Sequence, residues 1–331
     1  MARVYYDQDA DANDLAGETI AVLGYGIQGR AQALNLRDSG LAVIVGNRQD
    51  VYREQAYADG FEVLSLAEAA RAGDVVLILV PDEAQGRVYD ETIRPGLAAG
   101  NALVFAHGFS IRYGIIRPPQ NIDLLLLAPR LPGKYLRERY LEGSGVPVYV
   151  DVGHDATGRA KRRVLALAKG LGATRVGAME VSFAQETELD HFSEHFIYPL
   201  IVAAIQMAYD VLVEEGYEPE AALMELHGSG ELGEVLLEAG KIGLHRMIET
   251  LASPACQFGI YSYAPRLFPD EMRRALKDVI REIKDGSFAR QLLAEQQEGY
   301  PTLRTWKDAA RGQALAAAEK RLRELIRPER K

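Results

Sequence analysis

"ETIAVLGYGIQGRAQALNLRDSGLAVIVGN", residues 18–47, decides the fold. The apolar run "TIAVL" ends in a glycine turn, a helical pattern follows, and a second apolar run closes at "IVGN", so the stretch reads as one strand, helix, strand unit. Inside the turn, "GYGIQG" sets Gly24, Gly26 and Gly29 at G-x-G-x-x-G spacing. Gly24 permits the tight turn, Gly26 lets the backbone approach a pyrophosphate, and Gly29 allows the helix to lie close on the strand. With a strand before it and a helix after it, the turn points to a dinucleotide rather than to a plain loop.

Outward from this unit, short apolar runs recur at 74–80, 102–106, 122–128 and 146–152, separated by helical or turn segments. A parallel sheet with helices on both faces is the expected result. After about residue 180 the strand-type runs stop, and amphipathic patterns predict helices over 182–215, 219–239, 269–284, 287–298 and 308–326. The expected architecture is α/β plus all-α: a doubly wound Rossmann sheet over 1–181 followed by a helical domain over 182–331. No Pro/Gly/Ser-rich linker separates the two.

The 331 residues, 48% hydrophobic and 26% charged, suffice for a sizeable core in two domains. A net charge of −9 repels phosphate backbones, and the basic tail "AEKRLRELIRPERK" has the mixed charge of a solvated helix end, so no nucleic-acid partner is expected. A single cysteine, Cys256, fits a reducing cytoplasm, and no apolar leader follows "MARVYYDQD". Runs such as "DVVLILV" and "IDLLLLA" fall short of the roughly 20 residues of a membrane helix, so no membrane partner is expected either.

Three regions carry candidate chemistry. Past the second strand lie Arg48, which can pair with the 2′-phosphate of NADP, and Asp50, which can accept from the ribose 2′-OH of NAD; the sequence leaves both cofactors open. "VPDEAQ", 80–85, and His107 in "FAHGF" each end a strand at the edge where open α/β sheets bind ligands. In "ETELDHFSEH", Glu186, Asp190 and Glu194 recur every four residues, so a helix stacks three acids on one face without an intervening lysine. Such a stack suits Mg²⁺ or Mn²⁺, with His191 and His195 on an adjacent stripe, and "MELHGSGELGEV" adds Glu225, Glu231 and Glu234. The strongly apolar continuation of the first acidic helix predicts that its acids are at least partly enclosed. Ser253 and Cys256 form no nucleophile arrangement that spacing supports, and His154, His227 and His245 lack comparable context.

Together these blocks resemble ketol-acid reductoisomerase, in its short form with a single helical domain, over nearly the whole chain. The resemblance runs through "VYYDQDAD", "GYGIQGRAQALNLRDSG", "VPDEAQ", "FAHGF", "APRLPG", "GVPVYVDVGHDATGRA", "ETELDHFSEH", "SPACQFG" and "DGSFARQLLAEQQEGYPT". It implies a knotted helical domain, active sites shared between subunits of a homodimer or larger assembly, and Mg²⁺-dependent alkyl migration in 2-acetolactate or 2-aceto-2-hydroxybutyrate followed by reduction with NADPH or NADH. Carried over residue by residue, Tyr25, Ile27 and Gln28 with the glycines, and Asp82, Glu83, Ala84 and Gln85, line the cofactor. Arg48 lies at its adenosine end and Gly133 near the nicotinamide. His107 matches the active-site histidine, Asp190 and Glu194 match two metal ligands with Asp190 bridging two ions, and Ser253 matches a substrate-contacting serine.

Three positions depart from the family pattern. Glu225 matches the first of a glutamate pair four apart, but Ser229 holds the second place and Glu231 lies two residues on. Arg130 replaces a lysine after "AP", and Asp50 stands where serines usually serve the 2′-phosphate. The "GNxR", "APR" and "SxE" features are similar to those of thermophilic archaeal members. Beside the reductoisomerase, the departures leave a 2-keto acid or imine reductase without isomerase activity, and a non-catalytic dinucleotide-binding protein, as alternatives.

Overall fold

The computed structural model describes residues 2–326; residues 327–331, the end of the basic tail, lie outside the described residues. The chain divides into two compact units, Met1–Leu189 and Asp190–Lys331, and the division falls inside a helix that starts at Phe183.

In the first unit the described residues form one sheet of nine strands: β1 (Val4–Tyr5), β2 (Thr19–Leu23), β3 (Ala42–Gly46), β4 (Val63–Leu64), β5 (Val75–Ile78), β6 (Ala102–Phe105), β7 (Asp123–Pro129), β8 (Val148–His154) and β9 (Ala178–Glu180). Their order is β1-β9-β8-β7-β6-β5-β2-β3-β4, parallel from β4 to β7. β2 shows why: Ile20 and Val22 enter one apolar layer, Ala21 and Leu23 the other, so the strand is buried on both faces and needs a helical layer on each. The strand order reverses between β2 and β5, which opens a crevice at the carboxyl ends of these strands.

Two strand pairings correct the all-parallel expectation. β8 runs antiparallel to β7, with Pro129 opposite Val148, and β1 runs antiparallel to β9. After β7 the helix Gly133–Leu141 packs on the helix Ile27–Asp38 instead of carrying the chain back across the sheet, so β8 starts beside the end of β7.

The second unit is helical, as expected, but more finely divided. The helix expected over 219–239 is three pieces: Pro219–Leu223, a wide turn at Met224–Gly228, and Glu231–Ile242. Gly230, at φ 88°, takes the left-handed conformation that ends the first part. Helices at Leu244–Leu251 and Pro254–Leu267 were not expected, and 308–326 is split between Pro301–Arg311 and Ala314–Ile326. The helix Phe183–Glu214 also corrects the estimate of apolar length. It holds an 18-residue window of mean hydropathy 1.8, long and apolar enough to cross a membrane, with 6% of that window buried within the chain.

Candidate active site

β2 delivers the chain into the glycine turn. Gly24 sits at φ 98°, and a Cβ there would meet the Leu79 carbonyl oxygen at 2.8 Å, so backbone conformation and space both demand glycine. A Cβ on Gly29 would collide with the Gly24 carbonyl, whereas nothing lies within 4 Å of one on Gly26. That open space lies where the helix Ile27–Asp38 begins and presents its unpaired amides. The turn borders a cleft of about 780 Å³ that is also lined by Ile27, Gln28, Arg48, Asp50, Asp82, Glu83, Ala84, Gln85 and His107.

Tyr25 contributes backbone more than side chain. Its ring is buried edge-to-face on Phe61, its N–H donates to Asn47 Oδ1 at 3.1 Å, and its hydroxyl donates to Asp59 at 2.9 Å. Burial first, and then the Asp59 carboxylate, push this phenol well above its usual range. Gly133 is placed differently from the cofactor-lining residues. It opens the helix Gly133–Leu141, where a Cβ would strike the Ile27 carbonyl, so its glycine serves the packing of that helix on the dinucleotide turn.

Arg48 and Asp50 meet each other. Arg48 Nε donates to Asp50 Oδ2 at 2.7 Å, while Asp50 Oδ1 accepts from Asn47 Nδ2 at 2.8 Å and from the N–H groups of Tyr52 and Arg53, capping the helix Val51–Ala58. The Arg48 hydrogen bond, with those amides, holds the Asp50 carboxyl below its ordinary range. Asp50 is therefore an ionised cap that already engages the one arginine expected at the adenosine end.

At the opposite end of the cleft His107 follows β6. Its Nδ1 lies 2.6 Å from Asp82 Oδ2, and its ring stacks near the buried Phe109. The next residue, Gly108, donates its N–H to Glu186 Oε2 at 2.7 Å, and Arg130 donates to Glu186 Oε1 at 2.9 Å. Glu186 is fully buried, so these two donors compensate its desolvation. Arg130 also stacks over Tyr149. Sequence spacing put Glu186 in the acidic stack but could not name Arg130 and Gly108 as its partners, because the three come together only through the sheet.

The acidic helix is partly as expected. Glu186 is enclosed and Asp190 half-buried, in line with a partly enclosed stack, but Glu194 is exposed and departs from it. His107 and Glu186 each offer a ligand atom within 4.8 Å of the other's, and Asp190 follows Glu186 one turn along its helix. No Lys or Arg lies between Phe183 and His195. Arg130 engages Glu186 from the sheet, and the oxygen-rich face that continues through Asp190, with one imidazole near Glu186, fits a hard divalent ion.

In the second unit His191 is buried, stacked with His195 and against Phe288, and burial lowers the His195 pKa. Glu225 lies in the wide turn and Glu231 opens the next helix, on the far side of the Gly230 break. Glu194, Glu225 and Glu231 join no group of three or more ligand atoms among the described residues. Ser253 is exposed and caps the helix Pro254–Leu267, accepting from the Cys256 N–H.

Comparison with known proteins places both units. Residues 14–177 match the family model described as acetohydroxy acid isomeroreductase, NADPH-binding domain, and residues 183–327 match ketol-acid reductoisomerase, C-terminal domain. The chain is 42% identical over 328 residues to the ketol-acid reductoisomerase (NADP(+)) of Pyrobaculum aerophilum, covering 98% of this chain and 99% of that protein. A solved NADH-preferring ketol-acid reductoisomerase from an uncultured archean superposes with a TM-score of 0.93 at 35% identity, covering 98% of this chain and 99% of that one. At 22% identity and a TM-score of 0.63, a semialdehyde dehydrogenase NAD-binding protein from Cupriavidus necator covers 81% of this chain and 99% of its own, a likeness of fold.

Proposed function

This chain belongs to the ketol-acid reductoisomerase family, and on that premise we propose that it converts 2-acetolactate or 2-aceto-2-hydroxybutyrate into the 2,3-dihydroxy acid of valine and isoleucine synthesis, using Mg²⁺ and a nicotinamide dinucleotide. The observation that carries this reading is the presence of His107 in the wall of the cleft that the GYGIQG turn borders, beside the buried Glu186 of the acidic helix.

In this reading Asp190 and Glu194 hold Mg²⁺, with Glu225 and Glu231 as further ligands of a two-ion site. Bound there, the metal supplies Lewis-acid polarisation of the ketone and hydroxyl oxygens. The chain's own residues do the rest. The amides that begin the helix Ile27–Asp38 bind the pyrophosphate, and Gln28 and the Asp82–Gln85 segment line the dinucleotide. His107 Nε2 exchanges a proton with substrate oxygen, Arg130 pairs with Glu186 and holds it in place, and Ser253 contacts substrate.

Because Asp50 is ionised and holds Arg48, a 2′-phosphate would have to displace a carboxylate, whereas a 2′-OH can donate to it. We therefore assign NADH as a cofactor used at least as well as NADPH. The site is completed by a second copy of the chain. Among the described residues Glu194, Glu225 and Glu231 join no group of three or more ligand atoms, and Ile197, Tyr198, Val202, Met207 and Val211 leave an apolar helix surface exposed. A knotted helical domain and a cytoplasmic location complete the reading.

The test is oxidation of NADPH and, separately, NADH with 2-acetolactate, each with Mg²⁺ and with EDTA. Metal-dependent turnover supports the reading. Reduction of 3-hydroxy-3-methyl-2-oxobutanoate alone, without turnover of 2-acetolactate, would mean a reductase that has lost the migration. Light scattering at several concentrations tests the dimer.

A further inference from the structure

His107 does not stand by itself. Its Nδ1 faces Asp82 Oδ2 at 2.6 Å, Asp82 Oδ1 accepts from Gln85 Nε2 at 2.8 Å, and Gln85 Oε1 accepts from Ser110 Oγ at 2.8 Å. Gln85 Nε2 also donates to the Val80 carbonyl at 3.1 Å. Gln85 is 3% exposed and Ser110 fully buried, so the far end of this chain of hydrogen bonds is anchored in the core, while Asp82, Gln85 and His107 border the cleft. The two halves come from different strands, since Asp82 and Gln85 follow β5 and His107 and Ser110 follow β6.

We propose that Asp82 is a positioning residue for His107: its carboxylate, held in turn by Gln85 and Ser110, fixes the imidazole in the Nδ1–H tautomer and turns Nε2 toward the reacting atoms. A carboxylate can only accept, so the proton between the two groups belongs to Nδ1, and the neutral ring carries its lone pair on Nε2. A proton leaving a substrate hydroxyl then has an acceptor of fixed direction, and the resulting imidazolium keeps its hydrogen bond to the Asp82 carboxyl group behind it. The resemblance puts Asp82 among the cofactor-lining residues. The geometry points its carboxylate at His107 instead, although the residue does border the cleft. The proposal rests on the reading of His107 as an active-site residue, and its test has a readout that does not depend on turnover.

The test uses the full chain with ¹⁵N-labelled histidine, free of metal and cofactor, at a pH where imidazole is neutral, with the His107 signals identified from their loss in His107→Gln. The wild type should show a protonated Nδ1 and an unprotonated Nε2. Asp82→Asn, nearly isosteric, should invert or mix the tautomers, because the amide can donate to Nδ1. In steady-state assays the same variant should lose about 10²- to 10⁴-fold in kcat, with KM for the nicotinamide cofactor within about twofold. Asp82→Glu should regain part of kcat, and Gln85→Met should move both readouts the same way by less. A wild-type Nε2–H tautomer, an Asp82→Asn spectrum like the wild type, or a raised cofactor KM with kcat intact would each overturn the proposal. If the wild type fails to turn over 2-acetolactate, the proposed function fails while the spectra still decide the role of Asp82.

Discussion

Replacing Asp50 by serine removes one carboxylate from the adenosine end of the cleft and leaves a side-chain oxygen to cap the helix Val51–Ala58. The cap matters, since losing it altogether costs about 1 kcal/mol and would blur the comparison. Asp50 lies 2.7 Å from the Arg48 guanidinium, so a 2′-phosphate taken up by Arg48 would come within a few ångströms of the carboxylate. In water-like surroundings two unit charges about 4 Å apart interact by about 1 kcal/mol, and a phosphate monoester carries about 1.5 to 2 charges. The penalty on NADPH is then about 1–2 kcal/mol, or roughly 5- to 30-fold in Kd. NADH instead loses a hydrogen bond to its ribose, worth about 1 kcal/mol. Fluorescence titration of each cofactor with Asp50→Ser should show tighter NADPH and somewhat weaker NADH, the gain shrinking as salt rises because the site is exposed. NADPH affinity within twofold of wild type at low salt would refute the reasoning.

Two further predictions concern the scaffold. Asp123, at the start of β7 with no exposure, accepts from Arg163, from Thr157 Oγ1 and from the Ala156 and Thr157 amides, and Arg163 also binds Glu18. Asp123→Asn removes one of the two carboxylates on the buried Arg163, leaving Glu18, and should cost about 1.5–3 kcal/mol in urea unfolding; a loss under 1 kcal/mol would show that the network is not a buried ion pair in solution. Asp59 is held below the usual carboxyl range first by Arg30, with help from the Tyr25 hydroxyl. Its folded-state pKa is depressed, so its contribution to stability is present above the unfolded value of about 3.9 and is lost as pH falls through the folded value. Asp59→Asn should therefore be less stable than wild type at neutral pH, with the difference shrinking as pH falls through the folded-state value; a difference that does not shrink in acid would contradict this.

Local patterns made the first unit legible. "TIAVLGYGIQG" carries its own strand, turn and helix, and the strands at 74–80, 102–106 and 122–128 are long apolar runs because both faces are buried. β1 and β4, two residues each, have too little pattern to read, and the direction of β8 depends on where the helix Gly133–Leu141 packs. In the second unit, periodicity ran through the "HGSG" segment at 227–230, where Gly230 ends the helical path. The site was legible as residue types, but its pairings were not. Asp82 with His107, Arg130 with Glu186 and Arg48 with Asp50 arise from contacts the chain makes only once the sheet is assembled or the loop after β3 has turned into its helix. Asp50 shows the limit well, since a candidate ribose acceptor is also a helix cap and an arginine partner, and sequence alone does not rank those uses.

On the proposed function the dinucleotide cleft and the acidic helix act in one reaction, the first holding the hydride donor and the second the metal for migration. The most direct measurement is Asp190→Asn, with NADH binding and 2-acetolactate turnover in Mg²⁺ determined on the same preparation. The cofactor Kd should stay within twofold of wild type while turnover falls by at least about 10²-fold. Turnover undiminished by the substitution would contradict it.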